Sequence, residues 1–184
     1  MNEENKRKQS TTVKLAKMAM LVAISIVLVY LIRFPIFPAA PFLEYDPADI
    51  PILIGTFAFG PLSGILITIV TAIIQGFTVS AQSGVYGILM HIIATGAFVL
   101  TAGLIYRGGK TRKRAIIALL CGILAMTTIM VPANLIITPI FMGAPRAAVI
   151  GMLPIIIAFN LIKAGANGAV TFLLYKRISK FLHK

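Results

Sequence analysis

The feature that most constrains this chain is a long apolar run near its end that contains a single charge. From Ala147 to Tyr175 the only charged residue is Lys163, and the run is long enough to cross a bilayer. Similar runs recur along the 184 residues, of which 59% are hydrophobic and only 12% are charged. Soluble domains carry roughly 25% charged residues. The sequence therefore predicts an all-α integral membrane protein, with a single membrane domain over residues 1–184.

Lys163 shares one face of its predicted helix with two asparagines. Asn160, Lys163 and Asn167 occupy positions i, i+3 and i+7, so they project from the same side. A lysine at this depth costs roughly 2.5–3.5 kcal/mol on insertion scales, which favours a bundle interior or a watery cavity. We interpret the face as one wall of a binding site for a small molecule that is neutral or partly anionic. The alternative is a lysine that snorkels to headgroups, with asparagines that join neighbouring helices.

Basic residues give the chain a net charge of +12, and their positions indicate membrane topology rather than nucleic-acid binding. Most of them lie in clusters at residues 6–17, 107–114 and 176–184, each next to an apolar span. Such clusters are typical of the cytoplasmic side of a membrane. We therefore predict no nucleic-acid partner.

The sequence also lacks the groups that metal or catalytic chemistry needs. Its single cysteine, Cys121, excludes an intrachain disulfide, and its two histidines are not in metal-ligand spacing. Gly108-Gly109-Lys110-Thr111 resembles the end of a phosphate-binding loop, but position 104 is leucine rather than glycine, so we interpret it as a cytoplasmic turn. We predict no metal site, no cofactor and no enzymatic activity.

The number of helices depends on residues 47–78, which are apolar nearly throughout and are interrupted at Gly60-Pro61. Glycine followed by proline indicates that one helix stops and another begins. One continuous span would give five helices and would place the basic clusters on both sides, whereas a hairpin gives six and places them all on one side. We predict cytoplasmic N- and C-termini, a cytoplasmic tail over 1–12, and six helices at about 13–33, 47–59, 61–78, 84–106, 115–137 and 147–182.

Residues 34–49 contain four prolines and several aromatic side chains, which predict an ordered outer loop at the membrane face. The order Asp46, Pro47, Asp49 predicts that Asp46 caps a helix beginning near Pro47. This second helix would be only about 20 Å long, too short to cross a bilayer unaided. We expect the loop to support it and a pocket to lie in the outer half of the bundle.

Two further features complete the predicted spans. We place no Asp or Glu inside a transmembrane segment, which argues against carboxylate-coupled proton or sodium transport and leaves His91 as a hydrogen-bonded core residue. Pro132 and Pro139 are expected to kink or end the fifth helix near Asn134.

Several of these segments resemble the riboflavin-specific S components of energy-coupling factor (ECF) vitamin transporters. The resemblance is carried by Phe42–Pro51, Gly60-Pro61, Asn134 and Asn160-Leu161-Ile162-Lys163, and it extends over residues 13–182. It implies a six-helix bundle with a short second helix in a prokaryotic cell membrane. Such a protein captures riboflavin from outside and delivers it inward with a transmembrane coupling protein and two ATPase subunits.

The resemblance also implies roles for particular residues. Flavin hydrogen bonds are implied for Asn134, Asn160 and Lys163, and docking on the coupling protein is implied for the small residues of helix one. The docking residues are Ala16, Ala19 and Ala23. From their positions alone, we add four more ligand-binding candidates, which are Glu44, Tyr45, Gln75 and Asn167.

Other functions stay open at this point. The same architecture could bind another vitamin: thiamine is disfavoured because a cation would need acids and aromatic faces, whereas the carboxylate of biotin could pair with Lys163. A structural or regulatory membrane subunit would use the polar stripe only to hold helices together. A self-sufficient carrier would need a coupling residue that the predicted spans do not supply.

Overall fold

The structure, a computed structural model, describes residues 3–182. Residues 1, 2, 183 and 184, which belong to the predicted cytoplasmic termini, lie outside this range. The predicted count of six helices is confirmed. The helices are α1 (Glu3–Leu31), α2 (Asp49–Phe59), α3 (Pro61–Phe77), α4 (Gly84–Arg107), α5 (Arg112–Met142) and α6 (Arg146–Leu182), with a 3₁₀ turn at Ala81–Ser83 and two short strands, β1 (Phe34–Pro35) and β2 (Glu44–Tyr45).

Two helices extend further than their apolar residues predict. α1 begins at Glu3 rather than near residue 13, because the Glu, Lys, Arg and Gln side chains before the span are good helix formers. α5 continues through Pro132 and Pro139 to Met142, where Gly143 adopts the left-handed conformation (φ 61°) that commonly ends a helix. A prediction based on proline alone ends this helix too early. In a membrane bundle, neighbouring helices and side chains can bond the backbone carbonyls that a proline leaves free, so the helix can continue.

α2 is the central element of the bundle. Every residue from Asp49 to Ala58 is buried, and the helix packs against α1, α3, α4 and α6. The helix can be surrounded in this way because its one polar side chain after Asp49, that of Thr56, donates its hydroxyl to the backbone carbonyl of Ile52 within the same helix. The helix begins at Asp49 rather than near Pro47, but Asp46 makes the hydrogen bond predicted of a cap: its Oδ1 accepts from the N–H of Ala48 at 3.1 Å, and Ala48 already has helical backbone angles. Asp46 has other partners, described below.

The remaining helices form the membrane-spanning body. Within the described residues, four helices are long and apolar enough to cross a membrane, whereas α2 and α3 are shorter. The outward faces of the long helices carry large exposed apolar side chains, such as Leu104 of α4, Leu120 of α5 and Leu173 of α6, which suit contact with lipid. Chain direction places the connections α1–α2, α3–α4 and α5–α6 at one end of the bundle. The turn at residues 108–111 lies at the other end.

The long α1–α2 connection, residues 32–48, is called loop 1 here. Its ends pair as β1 and β2, with Phe34 opposite Tyr45 and Pro35 opposite Glu44. Between the strands, Ala40 and Leu43 are buried in a small apolar cluster with Val149, Ile156 and Phe159 of α6. Loop 1 therefore folds onto α6 instead of extending into solvent.

Close approach of α2, α3 and α4 requires glycine at one position that we expect to be sensitive to substitution. A Cβ added at Gly64 would overlap Thr56 Oγ1 and would lie 2.6 Å from Val99 Cγ1. We predict that Gly64→Ala lowers the free energy of unfolding by about 1–3 kcal/mol through overpacking. Denaturant unfolding of the detergent-purified protein measures the effect.

The matched control is Gly165→Ala in α6, where an added Cβ would meet nothing within 4 Å. This variant should be as stable as the wild type, or about 0.5–1 kcal/mol more stable, because alanine is the better helix former. Equal effects of the two substitutions would contradict the packing described here.

Candidate functional site

A cavity lies at the loop 1 end of the bundle, between α3, α4, α5 and α6 and beneath loop 1. Its apolar wall includes Ala72, Ala94, Met130 and Phe159. Five of the seven predicted ligand-binding residues also line it, and these are Glu44, Gln75, Asn134, Asn160 and Lys163. The predicted polar stripe of α6 therefore does face an internal space, next to an apolar surface that could hold a flat ring.

The lysine in this cavity has a partner from loop 1. Lys163 Nζ lies 2.7 Å from Asp46 Oδ2, and both side chains are largely buried. The other carboxylate oxygen of Asp46 accepts a hydrogen bond from the backbone N–H of Ala48 at 3.1 Å. Asp46 thus makes the hydrogen bond of a helix cap with one oxygen and neutralises the lysine of α6 with the other.

This pairing changes the acidity of Asp46. Burial alone would raise the pKa of its carboxyl, but the positive charge of Lys163 and the hydrogen bonds from Lys163 and Ala48 hold the pKa below its usual range. Because the folded-state pKa is lowered, the stabilising contribution is complete above the unfolded-state value of about 3.9. The contribution is lost as the pH falls through the folded-state value.

A second buried carboxylate, Asp49, lies in the first turn of α2. Its Oδ1 accepts a hydrogen bond from Thr95 of α4 at 2.7 Å, and its Oδ2 accepts one from Asn167 of α6 at 3.0 Å. His91 Nε2 of α4 lies 4.0 Å from Asp49 Oδ1. The four described helices that are long enough to cross a membrane carry no Asp or Glu in their candidate spans, but Asp49 places a carboxylate inside the bundle on the short α2. The expectation that His91 is hydrogen-bonded is wrong, because its Nε2 is buried without a partner among the described residues.

The remaining two predicted ligand-binding residues support the site from outside the cavity. Asn167 Nδ2 also donates to the backbone carbonyl of Asp46 at 3.0 Å, and Tyr45 Oη lies 3.0 Å from Asn167 Oδ1. Neither Tyr45 nor Asn167 is among the cavity-lining residues. Together they hold loop 1 and the start of α2 against α6.

Glu44 is engaged by a residue that the sequence did not single out. Arg33, near the start of loop 1, contacts Glu44 Oε2 at 2.5 Å through Nη2 and also donates to the backbone carbonyl of Val79. Both charged side chains line the cavity. Arg33 therefore links loop 1 to the α3–α4 connection at the end of the cavity where the loops meet.

Sequence reasoning missed Arg33, Asp46, Asp49, His91 and Thr95 as parts of this site. Local helix-capping chemistry accounted for Asp46 and Asp49 without any need for distant partners. The available signal was charge balance, because three acids in loop 1 and α2 were the natural partners for two isolated bases, Arg33 and Lys163.

The buried ion pair generates a prediction about stability. Lys163→Met would leave the Asp46 carboxylate buried without its cation, so we predict a loss of about 3–5 kcal/mol in the free energy of unfolding. The double variant Asp46→Asn/Lys163→Met should recover part of that loss, because no uncompensated charge remains. Unfolding is measured on ligand-free protein in detergent.

Lys110→Met is the matched control for this experiment, because Lys110 is exposed in the turn before α5. Its substitution should change stability by less than about 0.5 kcal/mol. A Lys163→Met variant as stable as the wild type would contradict a buried pair that the fold depends on.

Comparison with known proteins agrees with this architecture. The family model "ECF transporter, substrate-specific component" matches residues 13–175. Riboflavin transporter RibU of Staphylococcus aureus (strain TCH60) is 31% identical over 191 aligned residues, which cover 100% of both chains. Riboflavin transporter FmnP of Bacillus subtilis (strain 168) is 30% identical over 185 residues, which cover 93% of this chain and 94% of that relative.

A solved structure shares the fold as well. The S component of a bacterial ECF transporter superposes with a TM-score of 0.80 at 30% identity, covering 95% of this chain and 99% of that chain. The apolar helices and the transporter relatives make this chain a multi-pass protein of a prokaryotic cell membrane. The chain belongs to the family of ECF transporter substrate-specific components.

Proposed function

We propose that this S component binds riboflavin in the cavity beneath loop 1 and delivers it inward with a transmembrane coupling protein and two ATPase subunits. The relatives named as riboflavin transporters support this assignment. The observation that carries it is the set of hydrogen-bonding atoms left free on α5 and α6 inside the cavity.

Those free atoms match the polar edge of a flavin ring, in which one N–H lies between two carbonyls. Lys163 has three N–H groups, and its bond to Asp46 uses one. Asn134 and Asn160 each use one N–H on a backbone carbonyl and keep the other. Asn160 Oδ1 is buried without a partner among the described residues. The wall thus offers donors for the two carbonyls and an acceptor for the N–H.

Charge in the cavity also favours a neutral ligand. Asp46 neutralises Lys163, so a ligand carboxylate such as that of biotin would have to compete with an existing ion pair. A cation such as thiamine is disfavoured for a different reason from the one given by the sequence. Asp46 is already paired, and Asp49, bonded to Thr95 and Asn167, is not among the cavity-lining residues.

Orientation and docking follow from the surface of the bundle. The exposed basic residues of the turn before α5 and of the end of α6 lie at the end of the bundle opposite loop 1, and we assign that end to the cytoplasm. Ala16, Ala19 and Ala23 are exposed on α1 and form a flat strip that another helix can approach closely. We assign this strip to the coupling protein.

Ligand binding is tested by titrating riboflavin into detergent-purified protein and following the quenching of flavin fluorescence. We expect saturable binding, weakened by about 1–3 kcal/mol in Asn134→Leu and in Asn160→Leu, because each leaves a polar group of the ligand unpaired. Ser63→Ala is the control: Ser63 is buried in the first turn of α3 and is bonded to Phe59 O, away from the cavity. Absence of quenching in the wild type would refute riboflavin as the ligand.

Docking is tested separately from binding. Ala19→Trp would place a bulky ring on the α1 strip, so we expect it to reduce riboflavin uptake by cells at least tenfold while purified protein binds riboflavin as the wild type does. Ala169→Trp is the matched control, because Ala169 is exposed on α6. Equal uptake by Ala19→Trp and Ala169→Trp cells would contradict the assignment of the strip.

A further inference from the structure

The end of the bundle opposite loop 1 carries exposed basic side chains on several sides, which together are called the basic rim here. They are Lys14, Arg107, Lys110, residues 112–114 and residues 176–177. They come from α1, α4, the turn before α5, α5 and α6. Tyr106 and Tyr175, which directly precede bases of α4 and α6, have ring centroids 5.9 Å apart, so the bases of these two helices lie at one level.

No acid among residues 11–178 balances the charge of the basic rim. The acids in that range are Glu44, Asp46 and Asp49, and all three lie at the loop 1 end. At that end, Arg33 pairs with Glu44 and Lys163 pairs with Asp46. Positive charge at the opposite end is thus left without a counterpart in this part of the chain, and like charges so close together repel one another. A surface that carries negative charge would relieve this repulsion.

The basic rim begins where the lipid-facing surface of the bundle ends. Leu104 of α4 is exposed one turn before Arg107, and Leu173 of α6 is exposed one turn before Arg177. Side chains one turn apart lie on the same face of a helix, so these bases continue faces that contact lipid. The long side chains of lysine and arginine can lie along the apolar surface while their charged ends reach the headgroups.

A lipid leaflet fits this arrangement better than an acidic protein does. Lipids contact all sides of the bundle at one level, whereas a protein partner would cover one side. Phosphate groups lie at the depth that the rim occupies, and guanidinium and ammonium groups both donate hydrogen bonds to phosphate oxygens. Basic clusters that directly follow membrane helices are attracted to anionic lipids in the same way.

We propose that the basic rim binds the headgroups of anionic phospholipids and holds this end of the bundle in an anionic leaflet. The loop 1 end, where described acids and bases are paired, has no such preference. The surface is separate from the cavity, so its test does not involve riboflavin.

The chain contains no tryptophan, so a single introduced tryptophan can report on the lipids beside it. Leu104→Trp places this reporter next to the rim, and Ile140→Trp places it near the loop 1 end of α5; both positions are exposed to lipid. Each full-length protein is reconstituted with phosphatidylcholine and increasing brominated phosphatidylglycerol, or with brominated phosphatidylcholine instead. Bromine atoms quench tryptophan fluorescence, so the two quenching curves give the relative affinity of the two lipids at that position.

We expect phosphatidylglycerol to be preferred at least about fivefold beside the rim, because each base near an anionic surface contributes about that factor. At Ile140→Trp the preference should be about twofold or less. The preference at Leu104→Trp should also fall as salt is added, because exposed charges are screened.

Two substitutions in the Leu104→Trp protein assign the preference to the rim. Arg107→Gln with Lys110→Gln removes the two charges next along the chain, and the preference should fall to about twofold or less. Arg146→Gln is the matched control, because Arg146 is exposed at the loop 1 end of α6. Its substitution should leave the preference at Leu104→Trp unchanged.

The possible outcomes are distinct. An equal preference at the two reporters would overturn the proposal, as would a preference that survives the loss of Arg107 and Lys110. Absence of any preference would also overturn it and would favour an acidic protein as the partner of the rim. If circular dichroism shows that Leu104→Trp does not fold, Ile117→Trp takes its place, because Ile117 is exposed on α5 close to the rim.

Discussion

The site depends on one ion pair between parts of the chain that are 117 residues apart. Lys163 of α6 and Asp46 of loop 1 are both charged groups that the bundle buries, and each makes the burial of the other tolerable. Removing either would leave an uncompensated charge in a medium of low polarity. The pair therefore fixes loop 1 over the cavity, and it leaves two N–H groups of the lysine for a ligand.

A wider polar network extends this constraint to the centre of the bundle. Asp49 connects α2 to Thr95 of α4 and Asn167 of α6, and Asn167 also holds the backbone of loop 1. α2 is too short to cross a bilayer and is surrounded by four helices. Apolar contacts alone would allow α2 to rotate or shift among them, whereas the polar network fixes its orientation. Three of the residues that keep an unpaired buried polar atom among the described residues, Gln75, His91 and Asn160, line the cavity.

Reasoning from sequence was successful where the signal was local or averaged. The apolar runs, the Gly60-Pro61 break and the distribution of basic residues give the six helices and the short second helix. The spacing of Asn160 and Lys163 places both on the face that lines the cavity. Reasoning failed for Asp46 and Asp49, because local capping rules explain acids before a helix without reference to a lysine far along the chain. For the same reason, the prediction for His91 did not include the carboxylate of Asp49, which lies 4.0 Å from its Nε2.

The sequence by itself determined that this chain is a membrane bundle with a polar stripe on its last helix, since helix length, hydropathy and helical spacing act over a few turns. Only the tertiary structure decided which charges meet, which amide nitrogens are used internally and which polar atoms remain free for a ligand. The physical reason is that pairing energies inside a bundle depend on distance and burial between residues from different helices. Neither quantity is encoded in the spacing of residues along one helix.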